Sequence, residues 1–165
     1  MNTDHKSWPD PVRLNRSLGM KLLLLALGLA VVHHVDHVLR VDHSGWPFLP
    51  RASPFTYSLA VYPVFLVILL ARDKPWVRVV GTALLFLAAT LTHLTVEPLR
   101  DKFHTWAYGS NLPGHIGQHN LLGFDSKVLG VASVVLAVLM SLVLFGALLA
   151  FVRNARRGVF GSPVE

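Results

Sequence analysis

The sequence predicts an all-α membrane protein in which four transmembrane helices form a bundle. Three observations carry that expectation. Of the 165 residues, 53% are hydrophobic and only 15% are charged, against about a quarter charged in an ordinary soluble domain. The apolar residues fall into four runs, roughly 18–39, 55–71, 77–99 and 128–152, each near or above the ~20 residues that cross a bilayer's hydrocarbon core. Finally, the charges are sorted along the chain. Ten basic residues against four acidic ones lie in the leader, in the second connection around Arg72, Lys74 and Arg78, and in the tail around Arg153, Arg156 and Arg157. The other two connections are balanced. The positive-inside rule therefore puts both termini in the cytoplasm, in a multi-pass protein of the cell membrane. The net +6 lies on that one face; it is a topology signal, and nucleic-acid binding is not expected from it.

Four helices use nearly the whole chain, so residues 1–165 are read as a single membrane domain. Residues 1–17 form a cytoplasmic leader with Pro9 and Pro11. The first run has a long charged lead-in and no small-residue cleavage site before its histidines, so it is read as a retained signal anchor. Residues 41–54 form an outer loop rich in Pro, with Trp46 at headgroup level. The second helix contains Pro63 and is expected to kink there. The third carries Thr82, Thr90, Thr92, His93, Thr95 and Glu97, its polar residues gathered in the outer half. Residues 100–127 form the longest outer loop, broken around Gly109, Pro113 and Gly114. The fourth helix is aliphatic, with Ser141 and Gly146 read as packing residues, and 158–165 is a cytoplasmic tail.

The chain is organised around the end of the first helix, His33-His34-Val35-Asp36-His37-Val38-Leu39-Arg40. Ionisable groups at membrane depth are costly, and they usually face a bundle interior or wet cavity where they mark function. Eight of the nine histidines lie on the outer side. The third helix ends alike: His33-x3-His37-x2-Arg40 is matched, sixty residues on, by His93-x3-Glu97-x2-Arg100. Coincidence and a duplicated helical hairpin (2+2) are about equally good explanations of this match. At 100° per residue, His33, Asp36, His37 and Arg40 span about a 100° arc, and His93, Glu97 and Arg100 share one face of a helix running to residue 99. The two polar faces are expected to meet inside the bundle near the outer leaflet.

Side chains four apart on a helix can ligate one ion. His33, His37, His93 and Glu97 form the expected metal-ligand set, an N/O set suited to Zn, Fe, Mn or Cu. Glu97, Asp36, His115 and His119 are the candidate catalytic residues. The last two, in a second HxxxH, are candidates for extra ligands or proton carriers, and Asp36 for fixing a histidine tautomer. Arg40 and Arg100 are candidates for holding an anionic group of a cofactor or substrate. His34, His43 and His104 are read as hydrogen-bonded interfacial residues.

The leading expectation is a membrane metalloprotein, an enzyme on a lipid-like or small substrate being one form of it. The alternatives are a haem b electron-transfer protein with one histidine from each helix, a metal-free His/Glu acid–base site for isomerisation or hydrolysis, and a pH sensor. The absence of cysteine excludes thiolate ligands, cysteine nucleophiles and disulfides. The sequence also lacks a nucleotide-binding loop, a serine-nucleophile elbow, a zincin H-E-x-x-H motif and the HxxHH box of the membrane di-iron desaturases.

Overall fold

Helix α1 (Pro11–Arg40) buries one stripe along its length: Leu23, Ala26 and Ala30, then His33, Asp36, His37 and Arg40. The spacing is that of a single helical face, so the apolar core passes into the ionisable cluster with no change of register. This is seen in a computed structural model that describes residues 11–40, 52–110 and 116–160. Within them five further helices follow: α2 (Pro54–Ser58), α3 (Val61–Leu70), α4 (Pro75–Thr95), α5 (Leu99–Tyr108) and α6 (Lys127–Phe160). No strand occurs among the described residues.

By length and composition α4 and the 18–40 and 127–157 portions of α1 and α6 can cross a membrane, and Pro54–Leu70 is a shorter apolar helical segment. Burial agrees with a lipid surround. Outward-facing Leu24, Leu87, Val131 and Leu142 are half exposed or more, whereas Arg40, Glu97 and Lys102 are buried. A soluble protein rarely exposes so large an apolar surface.

Two prolines shape the elements. Pro63 has no N–H to give the Leu59 carbonyl. The Tyr62 N–H donates there instead, at 3.2 Å, and the expected second helix is broken into α2 and α3. Its start is firm: Ser53 and Thr56 close a reciprocal capping box ahead of Pro54. Pro98 ends α4 in the same spirit, because the residue before a proline is driven out of helical conformation. The Val96 and Glu97 N–H groups both donate to the Thr92 carbonyl, at 2.9 and 2.8 Å. The third helix therefore stops at Thr95, four residues short of the expected end. Glu97 sits in the turn, and the chain restarts in a new direction as α5. The connection expected over 100–127 is thus partly helical. At the ends, α1 begins earlier than expected and α6 runs on to Phe160.

Helix α6 is the central post, packed against α1, α4 and α5, while α3 packs against α4. Its buried stripe of Gly130, Ser133, Ala137, Met140, Leu144, Ala147 and Phe151 is rich in small residues, which favour close helix approach in a bilayer. A Cβ on Gly130 would lie 2.9 Å from the Phe103 carbonyl oxygen, so α5 lies directly on α6 there. The segment after residue 115 folds back over the end of α1: the Leu121 N–H donates to the Leu39 carbonyl at 2.8 Å, satisfying one of the helix's open carbonyls.

Candidate metal centre

The α1 stripe, the turn after α4 and the inner face of α5 converge on Glu97. Arg40 Nη1 lies 2.6 Å from Glu97 Oε1, and Lys102 Nζ lies 2.6 Å from Oε2. His37 Nε2 is 3.2 Å from Oε2 and 3.1 Å from His33 Nε2. A carboxylate only accepts, so His37 Nε2 carries the proton it shares with both neighbours. His93 Nδ1 is 3.8 Å from Oε2. The His33 ring stands nearly perpendicular to those of His37 and His93, at centroid separations of 4.6 and 4.9 Å.

Asp36 forms the other half of the network. Arg40 Nε donates to Oδ2 at 2.9 Å, the Trp106 indole N–H to Oδ1 at 2.8 Å, and the Ser133 hydroxyl to Oδ2 at 2.8 Å. Arg40 thus bridges both carboxylates, and helices α1, α5 and α6 are tied through one side chain. Two carboxylates face two cations, which is what keeps a fully buried set tolerable. Burial pushes the Glu97 carboxyl up, but Arg40, His37 and Lys102 outweigh it and hold the group well below the usual carboxylate range. Burial and Arg40 pull the Lys102 ammonium down to about 8 against the attraction of Glu97.

Among the described residues, His33, His93 and Glu97 offer ligand atoms that all lie within 4.8 Å of one another. Bonds of about 2.1 Å to a zinc-like ion in a tetrahedral site put ligand atoms about 3.4 Å apart, so closing on an ion takes an inward movement of these side chains. The buried Nδ1 atoms of His33 and His93 have no hydrogen-bond partner, and a buried nitrogen of this kind calls for an explanation. The donor set fits a transition metal. The obstacle is Lys102, whose ammonium already occupies Glu97 Oε2.

The remaining sequence candidates fall out differently. His37 joins the cluster. Asp36 touches Arg40, Trp106 and Ser133 but no histidine in the described contacts. Arg40 is 1% exposed, and the anions it grips are the protein's own. Arg100 is exposed: the break at Pro98 turns it away from the face it was expected to share with His93, so the second copy of the repeat departs from the first at this position. His119 is exposed and pairs with Asp125 at 3.0 Å, outside the group that converges on Glu97. His115 and His43 lie outside the described residues. His34 is engaged at both nitrogens, donating from Nδ1 to the Ala30 carbonyl at 2.8 Å with Ser58 Oγ 2.9 Å from Nε2. His104 donates to the Gly109 carbonyl at 3.0 Å.

Three participants were not anticipated: Lys102, Trp106 and Ser133. The first two carry a signal in retrospect, since Lys102, Thr105 and Trp106 form an i, i+3, i+4 face of a helix opened by Pro98. Ser133 lies in a helix read as aliphatic, and only the fold brings it to Asp36.

The histidines head an apolar cavity of about 570 Å³ that reaches down between α3 and α4 to Met140 and Leu144 of α6. No protein-family model, characterised protein or solved structure matches the chain. Fold and site together define a helical protein with three helices able to cross a bilayer and a buried His/Glu group able to hold a metal ion.

Proposed function

We propose that this chain is a four-span membrane metalloprotein whose His33, His93 and Glu97, with His37 beside them, bind one divalent transition metal (Zn, Fe, Mn or Cu). The metal would serve chemistry on a lipid-like or small substrate held in the cavity below. The observation that carries the reading is the convergence of His33 from α1, His93 from α4 and Glu97 from the α4–α5 turn, with His37 against Glu97 and with His33 and His93 at the head of that cavity. Pro54–Leu70 supplies the fourth span, short and broken. The basic turn around Arg72 and Lys74 supports a cytoplasmic position for both termini.

A bound metal of this kind supplies Lewis-acid polarisation or an activated water. The chain's own residues do the rest. Arg40 and Asp36 fix the Glu97 carboxylate, and Trp106 and Ser133 fix Asp36. Phe55 packs edge-on against the His34 and His37 rings, at centroid separations of 5.5 and 5.7 Å. Metal entry requires Lys102 to leave Glu97 Oε2, because a dication added to a balanced set would otherwise leave two uncompensated charges.

The second reading is a metal-free acid–base site, favoured by that same Lys102–Glu97 contact. The haem alternative is supported less: a doubly ligated haem needs its macrocycle between the two imidazoles, and His33 and His93 meet edge to face. Metal competition titrations on detergent-purified protein separate these readings. His33→Ala and His93→Ala are expected to lower metal affinity by at least about 10- to 100-fold, with His104→Ala unchanged. Equal affinity in all three variants contradicts the metal assignment.

A further inference from the structure

The cavity has a chemical character that narrows its occupant. Aliphatic side chains make up most of its lining, and four alanines, Ala30, Ala60, Ala88 and Ala89, are among them. Its volume, about 570 Å³, is that of a small-molecule site, and such sites are mostly apolar with a few convergent polar groups. Here those groups gather at one end: His33, His34, Ser58, Thr92 and His93. Rim residues Tyr57, Leu84 and Val96 are exposed on the flank of the bundle. That flank is the lipid-facing side if α4 spans a bilayer, so the way in is sideways from the membrane.

Among the described residues, no Asp, Glu, Lys or Arg lines the cavity. The charges nearest to it stand behind the histidines and are matched to one another, Arg40 and Lys102 to Asp36 and Glu97. Arg100, which the sequence offered as an anion holder, is turned out to the surface. With no ion on His33 and His93, a phosphate, sulfate or carboxylate head enters with no cation to meet it, and a quaternary ammonium with no anion. Desolvating an unpaired charge is costly, whereas a hydroxyl or carbonyl needs only one hydrogen bond.

We propose that this cavity binds an uncharged amphiphile, a single hydrocarbon chain ending in a hydroxyl or carbonyl, taken up laterally between α3 and α4 with its polar end against His33 and His93. The proposal deepens the reading of the same site as a place of chemistry on a lipid-like substrate. It names the head-group class, and it stands on the lining of the cavity alone.

The test uses full-length protein in phosphatidylcholine nanodiscs and three photoreactive probes: a diazirine-bearing hexadecanol, and the same chain ending in sulfate or in trimethylammonium. Cross-linked peptides are read by mass spectrometry. The alcohol is expected to label the facing walls of α3 and α4, to be displaced by excess hexadecanol, and to lose that labelling in Ala60→Trp and Ala88→Trp, two rim variants on opposite walls. After chelation of any metal, the charged chains are expected to label the cavity at least about tenfold less, while all three label the outer faces around Leu24 and Leu142 alike. Equal cavity labelling by the three probes, or alcohol labelling indifferent to both tryptophans, overturns the proposal and identifies the cavity as ordinary lipid contact. Metal content measured on the same samples keeps the two ideas apart. Selective alcohol labelling by a protein purified without metal contradicts the metal reading and leaves this one standing; metal in the purified protein with no selectivity after its chelation contradicts only this one.

Discussion

Glu97 is the residue on which most of the site depends. It is 1% exposed and meets two cations and a histidine, so its loss leaves Arg40 and Lys102 buried without their common counter-charge. Removing one partner of a buried pair costs about 3–5 kcal/mol. Glu97→Gln, which keeps the shape, is therefore expected to lower the unfolding midpoint in detergent sharply, whereas Arg100→Gln on the exposed surface is expected to leave it within error. Lys102 offers the opposite sign for a different observable. Lys102→Met removes the cation that competes for Glu97 Oε2, and metal affinity is expected to rise by at least about tenfold, one charge at close range in a low-dielectric site being worth that much. Unchanged affinity in a folded Lys102→Met protein would show that Lys102 and metal do not contend for the same carboxylate.

Elements show where the sequence was legible and where it was not. The apolar runs and the single face of α1 were readable because period and length are local properties, and the structure keeps His33, Asp36, His37 and Arg40 on one buried stripe. His93 and Glu97 joined them for a different reason than the helical wheel gave. The wheel assumed an α4 continuing to residue 99, but Pro98 stops it; Glu97 reaches the cluster from a turn, and Arg100 is carried away. The same break starts α5, whose buried Lys102 and Trp106 were hidden inside what read as a loop. Ser133 was hidden because one hydroxyl in an aliphatic helix carries no signal until its partner is known. The packing of α5 on α6 is testable at Gly130. A methyl group there would approach the Phe103 ring and carbonyl oxygen to 2.9 Å, and backbone yields less readily than a side-chain tip. Gly130→Ala is expected to cost about 1–3 kcal/mol, since α5 would have to move with Trp106 and its bond to Asp36. A wild-type midpoint in that variant would show that α5 has room to shift.

The whole molecule is arranged inside out relative to a soluble protein, with large apolar side chains outward and an ionisable cluster within. That arrangement makes sense with hydrocarbon as the surroundings, since charged groups then gather on one another. The proposed topology, both termini cytoplasmic, is checked cleanly because the chain has no cysteine. Single cysteines at Ser162 and at Leu122 are expected to react with impermeant maleimide from opposite sides of the membrane, and reaction from the same side contradicts a four-span chain. The most direct measurement of the central claim is elemental analysis of the detergent-purified protein, wild type beside the His33→Ala/His93→Ala double variant. The metal account expects near-stoichiometric zinc, iron, manganese or copper in the first and little in the second. A folded wild-type protein that carries no metal and takes up none when it is supplied contradicts the account and leaves the buried Glu97 network as a metal-free acid–base site.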